Sequence, residues 1–301
     1  MTELSRFSLL SGRDTKEKIT GYWTKRADGF ADLRQAELHS NKYGRWEKEL
    51  VGQLPSGQTL QILDVGCGAG FFSILLARLG HQVTAVDLTA KMIEDAQKLA
   101  VQELEVKFEL AAEQETEPAL TAEAVLKEKS DGKLKQEVPK NFAAASARPA
   151  GSATFLVMDA EKLNFPAAHF DMVLSRNLTW NLPHPAAAYA EWLRVLKPGG
   201  LLLNYDGEYA KDHHRHIGDN AHAGIAPALL QECHQIYHLL EISLADRPEW
   251  DEQVLKSLGC DRVDIARNVG QSIYREKDEF NISTPMFRIK AVRPPYLRLD
   301  L

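Results

Sequence analysis

"LDVGCGAG", residues Leu63–Gly70, ends the apolar run "LQILDV" and sets three glycines on alternate positions. A strand running straight into such a turn reads as the first unit of an open α/β sheet, where ligands lie beyond the carboxyl ends of the strands. The dinucleotide fingerprint GxGxxG needs a third glycine for close helix–strand packing, and Phe71 stands in that position. A phosphate-cradling P-loop fails as well, because no Gly-Lys-Ser/Thr follows. What remains is a turn whose missing side chains let a ligand lie against the backbone, with the Asp64 carboxylate beside it. A second strand, "QVTAV", leads into Asp87, about 20 residues further on, the separation at which an acid can accept both hydroxyls of a ribose. Two carboxylates so placed suit a nucleoside with a positively charged, phosphate-free tail.

Working outward, "ATFLV", "FDMVLS" and "LLLNY" read as three more buried strands, and "FFSILLARLG" and "AKMIEDAQKLAVQEL" as helices between strands. This alternation predicts parallel strands with helical crossovers. After Pro183 and Pro185, Tyr189, Trp192, Leu193 and Leu196 fall at i, i+3, i+4 and i+7, one apolar helix face. Lys197-Pro198-Gly199-Gly200 then supplies a turn back into the sheet. The pair "DRVDIARNV" and "MFRIKAV" completes seven strands. Three segments stand outside this rhythm. Residues 15–54 read as an N-terminal helical lid, with Tyr22, Arg26, Phe30 and Arg34 spaced by fours. Residues 107–151 are rich in Glu, Lys and Ala and poor in large apolar side chains, so they read as an insertion, mobile or loosely helical. Residues 207–259 read as a helical cover over the strand ends.

The 301 residues are 44% hydrophobic and 26% charged, ordinary for a globular protein with a real core. A net charge of −6 disfavours a large nucleic-acid partner, whose affinity rests on Lys and Arg against phosphates; the best basic patch is the tail "RIKAVRPPYLRLDL". No run approaches the length of a bilayer span, and the first residues carry no signal-peptide apolar region, so a cytoplasmic protein without membrane association is expected. Cys67, Cys233 and Cys260 are odd in number and lack CxxC spacing, which favours free thiols. His213, His214, His216 and His222, with Cys233, His234 and His238 following, invite a metal reading. Their spacing matches no standard zinc site, and no metal is assigned.

With "LDVGCGAG", "VDLTAKMI", "VMDAEKLNFPAAHFDMV" and "RVLKPGGLLL" in this order, the chain resembles the class I S-adenosylmethionine-dependent methyltransferases of the small-molecule type, strongly over residues 61–206. The resemblance implies a single domain with a Rossmann-like α/β fold, a seven-stranded, mostly parallel sheet with an antiparallel last strand and a helical lid, and S-adenosylmethionine as cofactor. It implies that Gly66, Cys67 and Gly68 line the methionyl portion, with Asp64 ordering the turn or its water. Asp87 would take the ribose hydroxyls, Leu88 and Met92 would flank the adenine, and Asp159 and Ala160 would meet its edge. Arg176 and Asn177, ending the fourth strand, would face the methionyl end and the acceptor. The Asn- or Asp-Pro-Pro-Tyr motif of methyltransferases acting on DNA bases is replaced by "SRNLTWNLPHP" at that point.

Methyl transfer from a sulfonium expels a neutral leaving group, so the protein chiefly orients the reactants and excludes water. Tyr22 and Arg26 are expected to close over the cofactor. His184, in "NLPHP", is the candidate base, against a plain loop or helix-cap histidine. Trp180 reads as an acceptor wall or as core. The expected function is methyl transfer to a small-molecule acceptor, with a protein or RNA acceptor, or a catalytically silent cofactor-binding protein, as alternatives; the sequence leaves the acceptor atom and the oligomeric state open.

Overall fold

The computed structural model describes residues 12–104, 151–213, 226–280 and 284–297. The expected insertion at 107–151 lies, apart from Gly151, outside them, as do His214, His216 and His222. Seven strands, β1 (Gln61–Val65), β2 (Gln82–Asp87), β3 (Ser152–Val157), β4 (Phe170–Arg176), β5 (Leu196–Gly207), β6 (Val263–Ala266) and β7 (Met286–Val292), make one sheet in the order β3-β2-β1-β4-β5-β7-β6. The pairs among β1 to β5 are parallel, and β7 runs antiparallel to both β5 and β6. This is the expected α/β sheet. The strand order reverses between β1 and β4, so a crevice opens at their carboxyl ends, where the glycine turn lies.

Both faces of the central strands are covered, which is why β1 is continuously buried from Ile62 to Val65 instead of alternating. One face is packed by α2 (Asn41–Val51), α3 (Phe71–Arg78) and α4 (Ala90–Leu104), with Trp46, Phe72 and Leu75 in its core. The other is packed by α5 (Pro185–Val195) and α8 (Glu249–Ser257), with Tyr189, Trp192 and Leu255 at its centre. Pro185 occupies the first turn of α5, where its missing N–H leaves no helical bond unmade. The Lys197–Gly200 turn falls within the start of β5, where Gly199 adopts a φ of +77°.

The lid has its own core. α1 (Gly12–Leu38), the single-turn helices Thr179–Asn181 and Glu241–Leu244, α6 (Tyr209–His213) and α7 (Pro227–Leu239) surround Tyr22, Trp180, Cys233, Ile236 and Tyr237. The expected cover at 207–259 is thus divided: α6 and α7 belong to the lid cluster, whereas α8 packs on α5, β6 and β7 as part of the sheet layers. Among the described residues no helix is long and apolar enough to cross a membrane.

Candidate functional site

The β1–α3 turn is held by backbone before any ligand arrives. Gly66 and Cys67 both donate to Val86 O, at 2.8 and 3.0 Å. Gly66 and Gly68 sit at φ +68° and +53°, conformations that strain residues carrying a Cβ. Asp87 ties this turn to the next loop, accepting from Gly68 N at 3.0 Å through Oδ2 and from Thr89 N at 2.8 Å through Oδ1. Asp64 accepts from Ser73 Oγ at 2.5 Å. Burial pushes the Asp64 carboxyl up to about 7, against the lowering effect of the Ser73 hydrogen bond, and neighbouring Asp87 pushes the same way. Burial also raises Asp87. Two desolvated acids beneath a bare turn make a place where positive charge is welcome.

A cavity runs along the carboxyl edge of the sheet above these acids. At the β2–β3 end, Leu88, Met92, Met158, Asp159 and Ala160 line it. Asp159 is fixed there by Glu161 N, 2.9 Å from Oδ1, and by Lys16 Nζ of α1, 2.6 Å from Oδ2. Asp64, Gly66, Cys67 and Gly68 line the middle, and burial holds the Cys67 thiol protonated. At the β4–β5 end, Arg176, Asn177, Leu178, Trp180, Tyr209 and Thr284 line it. Asn177 has φ +56°, an unusual conformation for a residue with a side chain. It is held there from both sides, its Oδ1 accepting from Tyr209 Oη at 2.7 Å and its carbonyl from Trp180 Nε1 at 2.9 Å.

The roof is α1, through Lys16, Trp23, Arg26, Phe30 and Arg34. Tyr22, expected to close over the ligand, does not line the cavity. It is 1% exposed and turned into the lid core with Cys233 and Tyr237; a step of one residue rotates a helix by about 100°, and Trp23 has the position facing inward. His184 is also displaced from its expected role. Pro185 starts α5 at once, so His184 sits exposed at the helix N-cap, its backbone N–H donating to Glu161 Oε1 at 2.6 Å, and it is absent from the cavity wall. Among the described residues no histidine lines this cavity, and no cluster of three or more His, Cys, Asp or Glu is arranged to hold a metal.

Several wall residues escape a motif reading. Trp23 continues the α1 stripe as 23, 26, 30, 34, a helical spacing, and Glu37 follows it behind the wall. Tyr209 and Thr284 arrive from distant parts of the chain and carry no local signal. Glu37 is fully buried beneath Arg34 and Arg176.

Two family models, each described as a methyltransferase domain, match residues 62–126 and 134–204. By these matches the chain is similar to the class I S-adenosylmethionine-dependent methyltransferases. Over 124 residues it is 36% identical to a Pseudomonas putida protein named ubiquinone/menaquinone biosynthesis C-methyltransferase UbiE, covering 38% of this chain and 47% of that one. Over 160 residues it is 29% identical to the 2-methyl-6-phytyl-1,4-hydroquinone methyltransferase of Synechocystis sp., covering 53% of this chain and 35% of the relative. The chain thus spans about half the length of these relatives, or less. A solved structure of Haemonchus contortus phosphoethanolamine N-methyltransferase 2, in complex with phosphomonomethylethanolamine and S-adenosylhomocysteine, aligns with a TM-score of 0.51 at 18% identity, covering 95% of this chain and 61% of that one. That likeness speaks for the fold.

The family's cofactor, S-adenosylmethionine, suits the donor set. A Cβ on Gly66 would lie 2.7 Å from Leu178 Cδ2 and one on Gly68 2.9 Å from Phe30 Cε1, so side chains are barred from the cradle. The acids below it are desolvated, as a cationic ligand requires.

Proposed function

We propose that the protein transfers a methyl group from S-adenosylmethionine to a small-molecule acceptor by in-line displacement. The observation carrying this reading is the pair of buried Asp64 and half-buried Asp87, set under a side-chain-free turn at the reversal point of the sheet and opening onto one cavity. In this reading Asp87 accepts the ribose hydroxyls with its remaining lone pairs, Leu88 and Met92 flank the base, and Asp159 with Ala160 meets the edge of the adenine, which their common lining of the cavity supports. Bound, the sulfonium supplies an electrophilic methyl group and leaves as a neutral thioether.

The chain's own share is orientation and dryness. Trp23, Trp180, Tyr209 and Tyr237 form an aromatic wall at the far end, with Trp180 centroids 5.5 Å from Tyr209 and 5.3 Å from Tyr237. Such a wall holds a planar acceptor by stacking and edge contacts, and the quinone-pathway names of the relatives point the same way. α1 with α6 and α7 acts as the cover that keeps water from the reacting atoms. With no histidine on the described wall, the proposal gives the acceptor no imidazole base.

The test is calorimetry with S-adenosylhomocysteine on the wild-type protein and on Asp87→Ala, followed by methyl release against a panel of hydroquinones and phenols. Tight binding lost in the variant, with turnover on at least one small acceptor, is expected. Binding of NAD in place of the thioether, or no binding at all, defeats the reading.

A further inference from the structure

Arg26 stands on α1 between Trp23 and Phe30, and all three line the cavity. The Trp23 and Phe30 rings meet at a centroid distance of 5.7 Å, and Trp23 meets Trp180 of the aromatic wall at 6.5 Å. From α7, Cys233 approaches the same arginine: burial raises its thiol, and the hydrogen bond with Tyr237 and the closeness of Arg26 oppose that rise. Arg26 thus borders the wall formed by Trp23, Trp180 and Tyr237. The side chain is half-buried, and its Nε is sealed from water without a hydrogen-bond partner. Among the described residues no carboxylate pairs with its guanidinium, and the acids of the neighbouring elements are engaged elsewhere. Lys25 takes Glu232 of α7 at 2.8 Å, Lys91 takes Asp28 of α1 at 2.9 Å and Asp95 of α4 at 2.6 Å, and Lys16 takes Asp159 and Glu161. Asp87 is tied to the backbone of Gly68 and Thr89. The group of Arg34, Glu37 and Arg176 is a separate one, Arg34 lying about 12 Å further along α1 at the helical rise per residue.

A partly desolvated guanidinium without a counter-charge is unfavourable, and its planar fork fits two oxygens of a carboxylate or a phosphate. The aromatic wall beside it suits a flat ring. We propose that Arg26 selects the acceptor: its guanidinium takes an anionic substituent, a carboxylate or a phosphate, on an aromatic ring lying along the wall of Trp23, Trp180 and Tyr237. The proposal rests on the methyl-transfer reading and narrows its acceptor to aromatic acids and aryl phosphates. Arg26 then reads the acceptor and not the cofactor, and the experiment separates the two.

Wild type, Arg26→Met and Arg26→Lys, each saturated with S-adenosylhomocysteine, are titrated by calorimetry with phenol, benzoate and phenyl phosphate. S-adenosylhomocysteine and 5′-methylthioadenosine, which lacks the amino-acid tail, are titrated separately. Wild type should bind one of the two anions at least about tenfold more tightly than phenol: benzoate if the site is shaped for a carboxylate, phenyl phosphate if it is shaped for a phosphate. Arg26→Met should level that preference while affinity for phenol and for S-adenosylhomocysteine stays as in wild type. Arg26→Lys, which keeps the charge, should retain a measurable part of it. A wild type that prefers neither anion over phenol overturns the proposal, as does an equal preference in wild type and Arg26→Met. An Arg26→Met protein that loses phenol and both anions alike assigns Arg26 to structure and overturns it. Lost affinity for S-adenosylhomocysteine with 5′-methylthioadenosine unaffected gives the guanidinium to the cofactor's tail and overturns it too. Failure of the methyl-transfer reading looks different: wild type then binds neither nucleoside.

Discussion

The ring of Phe30, on the lid helix, rests against Gly68 of the glycine turn, so that a Cβ at position 68 would come within 2.9 Å of Phe30 Cε1. Helix α1 and the glycine turn are therefore in direct contact, with the missing side chain at position 68 making room for the Phe30 ring.

Gly68→Ala should fail for two separable reasons. The residue sits at φ +53°, which costs a side chain about 1–2 kcal/mol, and the new methyl meets Phe30. Thermal unfolding of Gly68→Ala and of Phe30→Ala/Gly68→Ala apportions the two, and the double variant should recover only the steric part. Affinity for S-adenosylhomocysteine should fall in both. Full recovery in the double variant would mean that the backbone conformation carries no cost.

Asp64 makes cofactor binding depend on pH. A free aspartate titrates near 4, whereas Asp64 is raised by burial to about 7. Between these values the folded state holds the extra proton, so this group's contribution to stability is complete below about pH 4 and is lost as pH rises through 7. A cationic ligand above the carboxylate asks for the opposite, the ionised form. Affinity for S-adenosylmethionine should therefore climb from pH 5.5 to 7.5, by up to about tenfold per unit, and flatten above. Neutral S-adenosylhomocysteine should show a shallower climb, and Asp64→Asn should remove the difference between the two ligands.

Lys16 closes the end of the cavity by the loop after β3. It bridges Asp159 at 2.6 Å and Glu161 at 2.5 Å, with its side chain 24% exposed. The Lys16–Asp159 pair, partly exposed on both sides, contributes little to stability, about 1 kcal/mol or less, yet with Glu161, whose side chain is only 5% exposed, it fastens the first turns of α1 to the loop after β3. Lys16→Gln should leave the melting temperature nearly unchanged and speed dissociation of S-adenosylhomocysteine several-fold in stopped flow. The same release rate in both proteins would show that this end of the lid is not a fastening.

The features legible in the sequence are those whose physics is local. The turn at Gly66 and Gly68 declares itself because its φ values need glycine, and Asp87 because it closes an apolar strand at a set distance from that turn. The stripe Arg26, Phe30 and Arg34 follows from helical spacing alone. Spacing by fours fits two neighbouring helix faces about equally, and only packing against Cys233 and Tyr237 turns Tyr22 away from the cavity. His184 is near the strand end in sequence, but Pro185 starts a helix at once and leaves it exposed at the N-cap, off the cavity wall. The pairing of Glu37 with Arg176, 139 residues apart, and the arrival of Tyr209 and Thr284 depend on sheet order, which no local pattern encodes.

The wall residue Trp180 is positioned by charges that never reach the cavity. Asp206 Oδ2 accepts from Trp180 N at 2.9 Å and from Arg247 Nη1 at 3.0 Å, and Arg247 also binds Asp251 at 2.7 and 2.8 Å and Thr179 Oγ1 at 2.6 Å. All of these groups are buried, with one guanidinium set between two carboxylates. Arg247→Met would strand both acids and should cost about 3–5 kcal/mol of stability, read as a fall in the chemical denaturation midpoint. Adding Asp206→Asn and Asp251→Asn removes the stranded charges and should restore much of that loss. It cannot restore the strong acceptor that anchors Trp180 N. The triple variant is therefore expected to bind S-adenosylhomocysteine like wild type while its kcat with a small acceptor falls, on the order of tenfold, because a loosely held wall mispositions the nucleophile. A triple variant as stable and as active as wild type would show that the network serves folding alone.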